Sequence, residues 1–183
     1  MSEYRTIDGK NKTDLFRFGT ENVLITGGAG FIGSHIVDSV LRWFPTAEIT
    51  IVDAFTYAAN PENLRSAMTT GRVSVVHGCV RDRALMERSI MPGALVIHLA
   101  AESHVPRSFA DPDLFDRVNR GGTEAIMQAA LSSGAGRVVH FSTDEVYGNR
   151  LVAADEDQPL APTTPYARSK ANAEFEVIRA REG

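Results

Sequence analysis

The stretch NVLITGGAGFIG, residues 22–33, decides the fold. Residues 23–26 form a short run of apolar and branched side chains, which predicts a buried β-strand. The glycine-rich turn that follows opens a helix, because apolar residues from Phe31 onward recur at three- and four-residue spacing until Pro45. A strand that passes through a tight turn into a helix is the opening unit of an α/β fold.

The rest of the sequence repeats this alternation of strands and helices. Further strands are predicted at 48–53, 73–77, 94–99 and 137–142, and further helices at 82–90, at 113–132 and from Thr164 onward. Parallel strands joined by such helices need right-handed crossovers, which place helices on both faces of the sheet. The sequence therefore predicts a Rossmann-type, doubly wound parallel sheet over residues 21–183, preceded by a polar extension, residues 1–20.

Composition and charge exclude several classes of protein. The chain has 183 residues, of which 43% are hydrophobic and 23% charged, and its net charge is −4. These values are ordinary for one globular domain and leave no basic surface for nucleic acid or anionic lipid, so neither partner is expected. The single cysteine, Cys79, and the lack of a signal or membrane segment favour the cytoplasm. The histidines and the cysteine lack the spacing of metal ligands, so no metal site is expected.

The first turn and the acid after the second strand predict a dinucleotide site. A phosphate needs bare backbone N–H groups at the positive end of a helix, and a side chain would block its approach. Asp53 follows the turn by about twenty residues, at a strand end where a carboxylate can accept hydrogen bonds from ribose hydroxyls. An acid there repels a 2′-phosphate, so NAD is expected rather than NADP, although a strand-end carboxylate alone is also an ordinary structural feature. The residues expected to contact the cofactor in this turn are Gly27, Gly30, Phe31, Ile32 and Gly33.

Two groups of polar residues follow the last strands of the sheet. Tyr166 and Lys170 lie four residues apart, on one face of the last helix. There the lysine cation, with a positively charged nicotinamide, should favour a tyrosinate that acts as a base. Thr143, Asp144 and Glu145 follow the fifth strand, at the edge where open α/β sheets bind ligands. The alternatives are a surface helix for the first pair and a solvated turn for the adjacent acids.

Five motifs together resemble the extended short-chain dehydrogenase/reductase family, and within it most of all the dTDP-glucose 4,6-dehydratases. The similarity runs from about residue 22 to the end of the chain, and its most specific part is the Thr143-Asp144-Glu145 triplet. Related sugar epimerases usually carry small or hydroxyl residues in place of the two acids. The motifs are GGAGFIG at 27–33, VDAFTYAAN at 52–60, VIHLAAESHV at 96–105, STDEVYG at 142–148 and YARSK at 166–170.

The resemblance implies a three-step dehydration of a nucleotide sugar. Tyr166 would take the C4 hydroxyl proton while a hydride passes to NAD⁺, with Lys170 and Thr143 supporting the charge. Glu145 would then remove the C5 proton while Asp144 protonates the departing C6 hydroxyl. The hydride would finally return to C6, which leaves a 4-keto-6-deoxy sugar.

The resemblance also implies roles for residues outside these groups. Thr56, Ala100 and Ala101 are expected beside the cofactor, as are the catalytic Tyr166 and Lys170, and Ser103 is expected beside the substrate together with Thr143. Turn capping and close packing are the ordinary alternatives for Thr56, for Asn60 and for the two alanines, and a structural role is preferred for His104. Asn119 resembles a buried asparagine that positions the catalytic lysine. The helices at 113–132 and 164–181 correspond to those that pair in the homodimers of the family.

The sequence also departs from the pattern of this family. Cys79 stands where an acid usually holds the adenine amine, and Pro106 replaces another common acid. Family members continue into a C-terminal domain that binds the sugar nucleotide, which this chain is expected to lack. A non-catalytic nucleotide-binding module therefore stays open as an alternative, as does an epimerase or another dehydratase.

Overall fold

The computed structural model describes residues 21–150 and 153–182, and its centre is one sheet of five parallel strands. The strand order is β3-β2-β1-β4-β5, so the chain starts in the middle of the sheet and winds outward in both directions. This arrangement confirms the predicted doubly wound sheet. The strands are β1 (Asn22–Thr26), β2 (Glu48–Asp53), β3 (Val73–His77), β4 (Leu95–His98) and β5 (Arg137–His140).

The helices lie on both faces of this sheet and include two short ones, Arg65–Met68 and Val105–Ala110, that the sequence did not predict. The second begins after His104, whose imidazole accepts a hydrogen bond from the Arg107 N–H, and it holds Pro106 in its first turn. The helices are α1 (Phe31–Trp43), α2 (Arg65–Met68), α3 (Arg83–Ser89), α4 (Val105–Ala110), α5 (Pro112–Phe115), α6 (Gly121–Ser132) and α7 (Pro165–Glu182). There are also two 3₁₀ turns, Pro61–Leu64 and Asp144–Tyr147.

The predicted helix at 113–132 is confirmed as an unbroken run of helical residues, but it contains a π turn that the sequence did not predict. A π-helical segment, Asp116–Arg120, separates α5 from α6. It carries Asn119, of which only 1% is exposed, and which bonds to neighbouring segments on its inner side. Apolar periodicity does not reveal one extra residue in a turn, and π segments of this kind often mark functional sites.

The core consists of two apolar layers, one on each face of the sheet. In β1 the side chains alternate, so that Val23 and Ile25 face the first layer and Leu24 faces the second. The first layer includes side chains of α1, and the second includes side chains of α3 and α6. Members of the first layer include Val37, Val40, Ile49 and Ile51, and members of the second include Val52, Met86, Val96 and Ile126.

Because the five strands are parallel, the predicted functional segments lie at one edge of the sheet. The glycine turn follows β1, Asp53 ends β2, Ala100 follows β4 and Thr143 follows β5. All four segments lie at the carboxyl ends of parallel strands, where open α/β sheets form a ligand crevice. Among the described residues, no helix is long and apolar enough to span a bilayer, and no cluster of side chains has the composition of a metal site.

The contact between Gly33 and the turn gives a first testable prediction. A Cβ on Gly33 would overlap the carbonyl oxygen of Gly27 and lie 2.8 Å from the Cα of Gly28. Because backbone atoms cannot move aside cheaply, Gly33→Ala should lower the free energy of unfolding by about 2–3 kcal/mol. Urea denaturation followed by circular dichroism measures this change.

Gly121→Ala is the matched control for this substitution. Gly121 is also helical, but nothing lies within 4 Å of the position that its Cβ would occupy. Alanine is the better helix former, so this variant should be as stable as the wild type or more stable, by up to about 1 kcal/mol. Equal effects of the two substitutions would contradict the close-packing argument.

Candidate active site

The glycine turn brings a bare helix N-terminus against the end of β4. Gly27 has a φ of +72°, and a Cβ there would lie 2.8 Å from the backbone nitrogen of Ala100, so only glycine fits without strain. Gly30 is the N-cap of α1, and no side chain caps this helix. The first N–H groups of α1 are therefore available to an anion at the positive end of the helix dipole.

The carboxylate of Asp53 is fixed beside this turn by two backbone groups. Its Oδ2 accepts a hydrogen bond from the Ala29 N–H at 2.9 Å, and its Oδ1 accepts one from the Phe55 N–H at 2.8 Å. Only 7% of the residue is exposed, and the exposed part faces a cleft. A carboxylate has about four acceptor positions, so two remain for the hydroxyls of a ligand.

A cleft of about 590 Å³ runs along the carboxyl edge of the sheet, which is the size of an ordinary small-molecule site. Beyond Asp53 it ends at Cys79 and Arg81, where the Arg81 Nε donates to the Cys79 Sγ at 3.3 Å. The cleft brings together every residue predicted to contact the cofactor, and Ser103 as well. These lining residues are Gly27, Gly30, Phe31, Ile32, Gly33, Asp53, Thr56, Ala100, Ala101, Ser103, Tyr166 and Lys170.

At the other end of the cleft, α7 presents Tyr166 and Lys170 one turn apart. The helix is capped by the Thr164 hydroxyl, which accepts a hydrogen bond from the Ala167 N–H at 3.0 Å. The Tyr166 ring packs edge-on against that of Phe115, with centroids 6.4 Å apart. Lys170 is only 4% exposed, and its Nζ donates to the carbonyl oxygen of Phe141 at 2.6 Å. Burial lowers the pKa of Lys170 to about 8, although Glu174 acts in the opposite direction.

The chain's own groups raise the pKa of Tyr166. Burial raises the pKa of this phenol, a hydrogen bond with Thr143 lowers it, and the charges of Glu145 and Asp144 raise it further. The Lys170 amine is turned toward the Phe141 carbonyl and is itself desolvated, so it is not among the groups that lower the Tyr166 pKa. The expectation that Lys170 and a positively charged nicotinamide together favour the tyrosinate stays a prediction.

Thr143 and the two acids lie at the rim of the cleft, beside Tyr166. Thr143 caps the 3₁₀ turn Asp144–Tyr147, and its hydroxyl accepts a hydrogen bond from the Glu145 N–H at 3.3 Å. Asp144 is exposed and Glu145 is half-buried, and both influence the ionisation of Tyr166. The structure therefore brings the triplet and Tyr166 together, although the three residues do not line the cleft itself.

Two other predicted positions have structural roles. The Asn60 side chain accepts a hydrogen bond from the Glu62 N–H at 3.1 Å and caps the 3₁₀ turn Pro61–Leu64, which is the alternative that the sequence left open. His104 caps α4, as preferred from the sequence. Thr56 lines the cleft and Asn60 does not, so of the two only Thr56 lies where a ligand in the cleft would contact it.

Sequence reasoning assigned no role to Tyr57, Ser169 or Glu102, which connect segments around the cleft. The Tyr57 hydroxyl accepts a hydrogen bond from the backbone N–H of His104, and the Ser169 hydroxyl accepts one from the side-chain amide of Asn119. Glu102 is buried beside Arg107 and lines the cleft. The hydrogen bonds between Tyr57 and His104, between Ser169 and Asn119 and between the Glu102 backbone and Asn119 span 47, 50 and 17 positions, so no local pattern identifies them.

Comparison with known proteins identifies the family. The family described as GDP-mannose 4,6 dehydratase matches residues 24–183. The chain belongs to this family. The resemblance to the nucleotide-sugar 4,6-dehydratases, stated above from five motifs, is thereby confirmed.

Individual relatives are similar to the chain over most of its length. A dTDP-glucose 4,6-dehydratase from Actinoplanes sp. is 42% identical over 84% of this chain and 50% of its own length. The low-salt glycan biosynthesis protein Agl12 of Haloferax volcanii is 40% identical over 88% of this chain and 52% of its own length. The chain thus spans about half the length of the curated relatives that it matches.

Solved structures of the family share the fold described above. DesIV, a dTDP-glucose 4,6-dehydratase from Streptomyces venezuelae with NAD and TYD bound, superimposes with a TM-score of 0.83 at 42% identity. The alignment covers 88% of this chain and 52% of that structure. A UDP-glucose 4-epimerase from Thermotoga maritima gives a TM-score of 0.76 at 26% identity, over 88% of this chain and 51% of the epimerase.

The buried amine of Lys170 predicts a pH dependence of stability. Its pKa is about 8 in the folded chain against an ordinary value of 10.5, so between these values the unfolded chain binds more protons at this amine. Stability should therefore rise as the pH rises from 8 to 10.5, relative to Lys170→Met, by up to about 3 kcal/mol. Urea unfolding of both proteins across this range measures the difference, and parallel pH profiles would refute the assignment.

Proposed function

We propose that residues 21–183 form the cofactor-binding and catalytic domain of an NAD-dependent nucleotide-sugar 4,6-dehydratase, a lyase that acts on dTDP-glucose or a similar substrate. The observation that carries this proposal is the content of one cleft. Its first part combines a bare helix N-terminus with a fixed carboxylate, and its far end holds Tyr166 and Lys170, with Thr143 and the two acids beside Tyr166 at the rim. The single cysteine supports a cytoplasmic location.

The residues of the cleft fit an NAD molecule along its length. The glycine turn suits a pyrophosphate, since a Cβ at Gly27 would collide with Ala100, and Asp53 retains acceptors for the adenosine ribose. DesIV and a Bacillus anthracis dTDP-glucose 4,6-dehydratase, 32% identical to this chain, have both been crystallised with NAD. When bound, NAD⁺ supplies a reversible hydride acceptor and a positive ring that favours the Tyr166 phenolate.

The chain's own residues would then move protons around the substrate. Tyr166 accepts the proton of the sugar hydroxyl that becomes a ketone, and the Thr143 hydroxyl holds the phenol oxygen in place. The ketone acidifies the adjacent C–H group, from which Glu145 removes the proton. Asp144 acts as the general acid and protonates the departing hydroxyl, which leaves as water. Of the two adjacent carboxyl groups, Glu145 is thus the base and Asp144 the acid.

These two acids favour dehydration over epimerisation. Structures of epimerases share the fold at 26–30% identity, so the fold alone does not distinguish the two reactions. An epimerase needs no acid that expels water, whereas loss of the C6 hydroxyl does. Asp144 is exposed at the rim, beside the phenol that begins the reaction, where such a proton donor is needed.

Asp144→Asn separates the proposed steps. With dTDP-glucose in a single turnover, formation of NADH should change by less than about threefold, because Tyr166 and Lys170 are intact. Loss of water should slow by about 100-fold or more, the usual contribution of a general acid. Rapid-quench mass spectrometry follows the loss of water, and NADH absorbance follows the hydride transfer.

Tyr166→Phe is the control, since it should abolish the first hydride transfer and everything after it. Equal slowing of hydride transfer and of water loss by Asp144→Asn would contradict the role of Asp144 as the general acid. If the wild-type protein inverts C4 without losing water, the epimerase is correct. If it binds NAD but transforms no nucleotide sugar, the non-catalytic module is correct.

We further propose that the chain forms a homodimer through its two longest helical segments, residues 112–132 and α7. Their outer faces carry Leu131, Phe175 and Ile178, which are 64%, 57% and 49% exposed. Large apolar side chains exposed along adjacent helices are typical of a helix-to-helix interface. The two helices flank a shallow groove in which Arg179 pairs with Glu124.

Phe175→Glu tests this interface, because a buried carboxylate without a partner would oppose association. Sedimentation should show a dimer for the wild type and a shift toward monomer for this variant. Phe109→Glu removes an equally exposed phenylalanine from α4, outside the two helices, and should stay dimeric. A monomeric wild type, or dissociation by both variants, would exclude the proposed face.

A further inference from the structure

The segment that follows β2, residues 54–60, is attached at both ends to the cofactor cleft, and we name it the Tyr57 strap. At its start Phe55 has a φ of +49°, an unusual value for a non-glycine residue, and donates its N–H to the Asp53 carboxylate. At its end the Asn60 N–H donates to the carbonyl oxygen of Ala29, in the glycine turn, at 3.0 Å. The strap is therefore held against the turn that a pyrophosphate would occupy.

The middle of the strap reaches the loop that follows β4. The Tyr57 hydroxyl accepts hydrogen bonds from the N–H of His104 at 3.2 Å and of Ser103 at 3.5 Å. The Arg107 guanidinium lies over the Tyr57 ring, 4.2 Å from its centroid, and pairs with Glu102 at 3.6 Å. Because β1 lies between β2 and β4, this link crosses the end of β1 and its glycine turn.

The loop that receives Tyr57 is itself fixed to the catalytic helix. Asn119 bonds to both backbone groups of Glu102, accepting from its N–H at 2.8 Å and donating to its carbonyl oxygen at 2.9 Å. The same amide donates to the Ser169 hydroxyl at 2.8 Å, one residue before Lys170. The strap is thus connected through a buried amide to the helix that carries Tyr166 and Lys170.

Both sides of this link face the cleft. The strap contributes Ala54, Thr56, Ala58 and Ala59 to the cleft wall, and the loop after β4 contributes residues 99–103. A ligand that contacts both Asp53 and Tyr166 has to extend along the cleft past the link. A ligand confined to the Asp53 end does not.

We propose that Tyr57 is a positioning residue whose hydroxyl holds the strap across a bound dinucleotide and slows its release. The inference rests on the proposed function, and it suits a reaction that takes up a hydride and returns it in the same turnover. Such an enzyme gains nothing from releasing the dinucleotide between the two transfers. A latch built from two hydrogen bonds and one stacked cation would keep the dinucleotide in place at each turnover.

Tyr57→Phe is the decisive variant, because it keeps the ring stacked on Arg107 and removes only the hydroxyl. NADH bound to the protein is displaced by excess NAD⁺ in a stopped-flow fluorimeter, which gives its dissociation rate constant. The variant should release NADH about fivefold faster, the loss expected for a hydrogen bond of this kind. AMP occupies only the Asp53 end, so its dissociation constant, measured by calorimetry, should change by less than about twofold.

Tyr147→Phe serves as the control, since it also removes one phenol hydroxyl but from a residue outside both the strap and the loop after β4, in the 3₁₀ turn Asp144–Tyr147. It should release NADH at the wild-type rate. An unchanged NADH release rate in Tyr57→Phe would overturn the latch while leaving the proposed function intact, as would an equal weakening of AMP. Failure of the wild-type protein to bind NADH or AMP would overturn the proposed function and the latch together.

Discussion

The geometry of the cleft depends on one buried side chain, the amide of Asn119. It accepts from and donates to the backbone of Glu102 and donates to the Ser169 hydroxyl, so it joins the loop after β4 to the helix α7. Ser169 passes the connection on by donating to the carbonyl oxygen of Tyr166 at 2.7 Å. An amide is suited to this task because it offers donors and an acceptor at once, and leaving either buried group unpaired costs about 1–3 kcal/mol. The π segment Asp116–Arg120 contains this residue, so the π turn in the helix lies at the point where these segments are joined.

A second chain of hydrogen bonds reaches Asn119 from Thr26, the last residue of β1 before the glycine turn. The Thr26 hydroxyl accepts from the Ala100 N–H, so its own hydrogen can be donated to the Nδ1 of His98, 2.7 Å away. The Thr123 hydroxyl donates to the carbonyl oxygen of Asn119, and it therefore accepts from the Nε2–H of His98 at 3.0 Å. This order of donors needs a neutral imidazole, which agrees with the burial that lowers the pKa of His98 well below its usual range. The turn, the central strands and the catalytic helix are thus one connected polar unit inside an apolar core.

The fold and the outline of the cleft could be predicted from sequence because their signals are local. Strand bounds follow from runs of branched apolar residues, α1 from its periodicity and Pro45, and the N-cap of α3 from Asp82. The lining of the cleft follows in turn, since parallel strands end at one edge and the motif residues lie just beyond those ends. What could not be predicted depends on contacts across long sequence separations. The link from Tyr57 to His104 and the choice of the Phe141 carbonyl as the partner of Lys170 are of this kind.

The ionisation of Tyr166 shows why such contacts matter for the chemistry. Spacing alone suggests a lysine cation beside a phenol, with the cation lowering the pKa of the phenol. In the folded chain both groups are desolvated: the pKa of Lys170 falls to about 8, and that of Tyr166 rises. Each shift favours the uncharged form of its own group, so burial by itself opposes formation of the Tyr166 phenolate. A positive charge brought to the same end of the cleft would lower the Tyr166 pKa, because burial strengthens the attraction between a phenolate and a nearby cation. The size of that effect would depend on burial as well as on the Tyr166–Lys170 spacing.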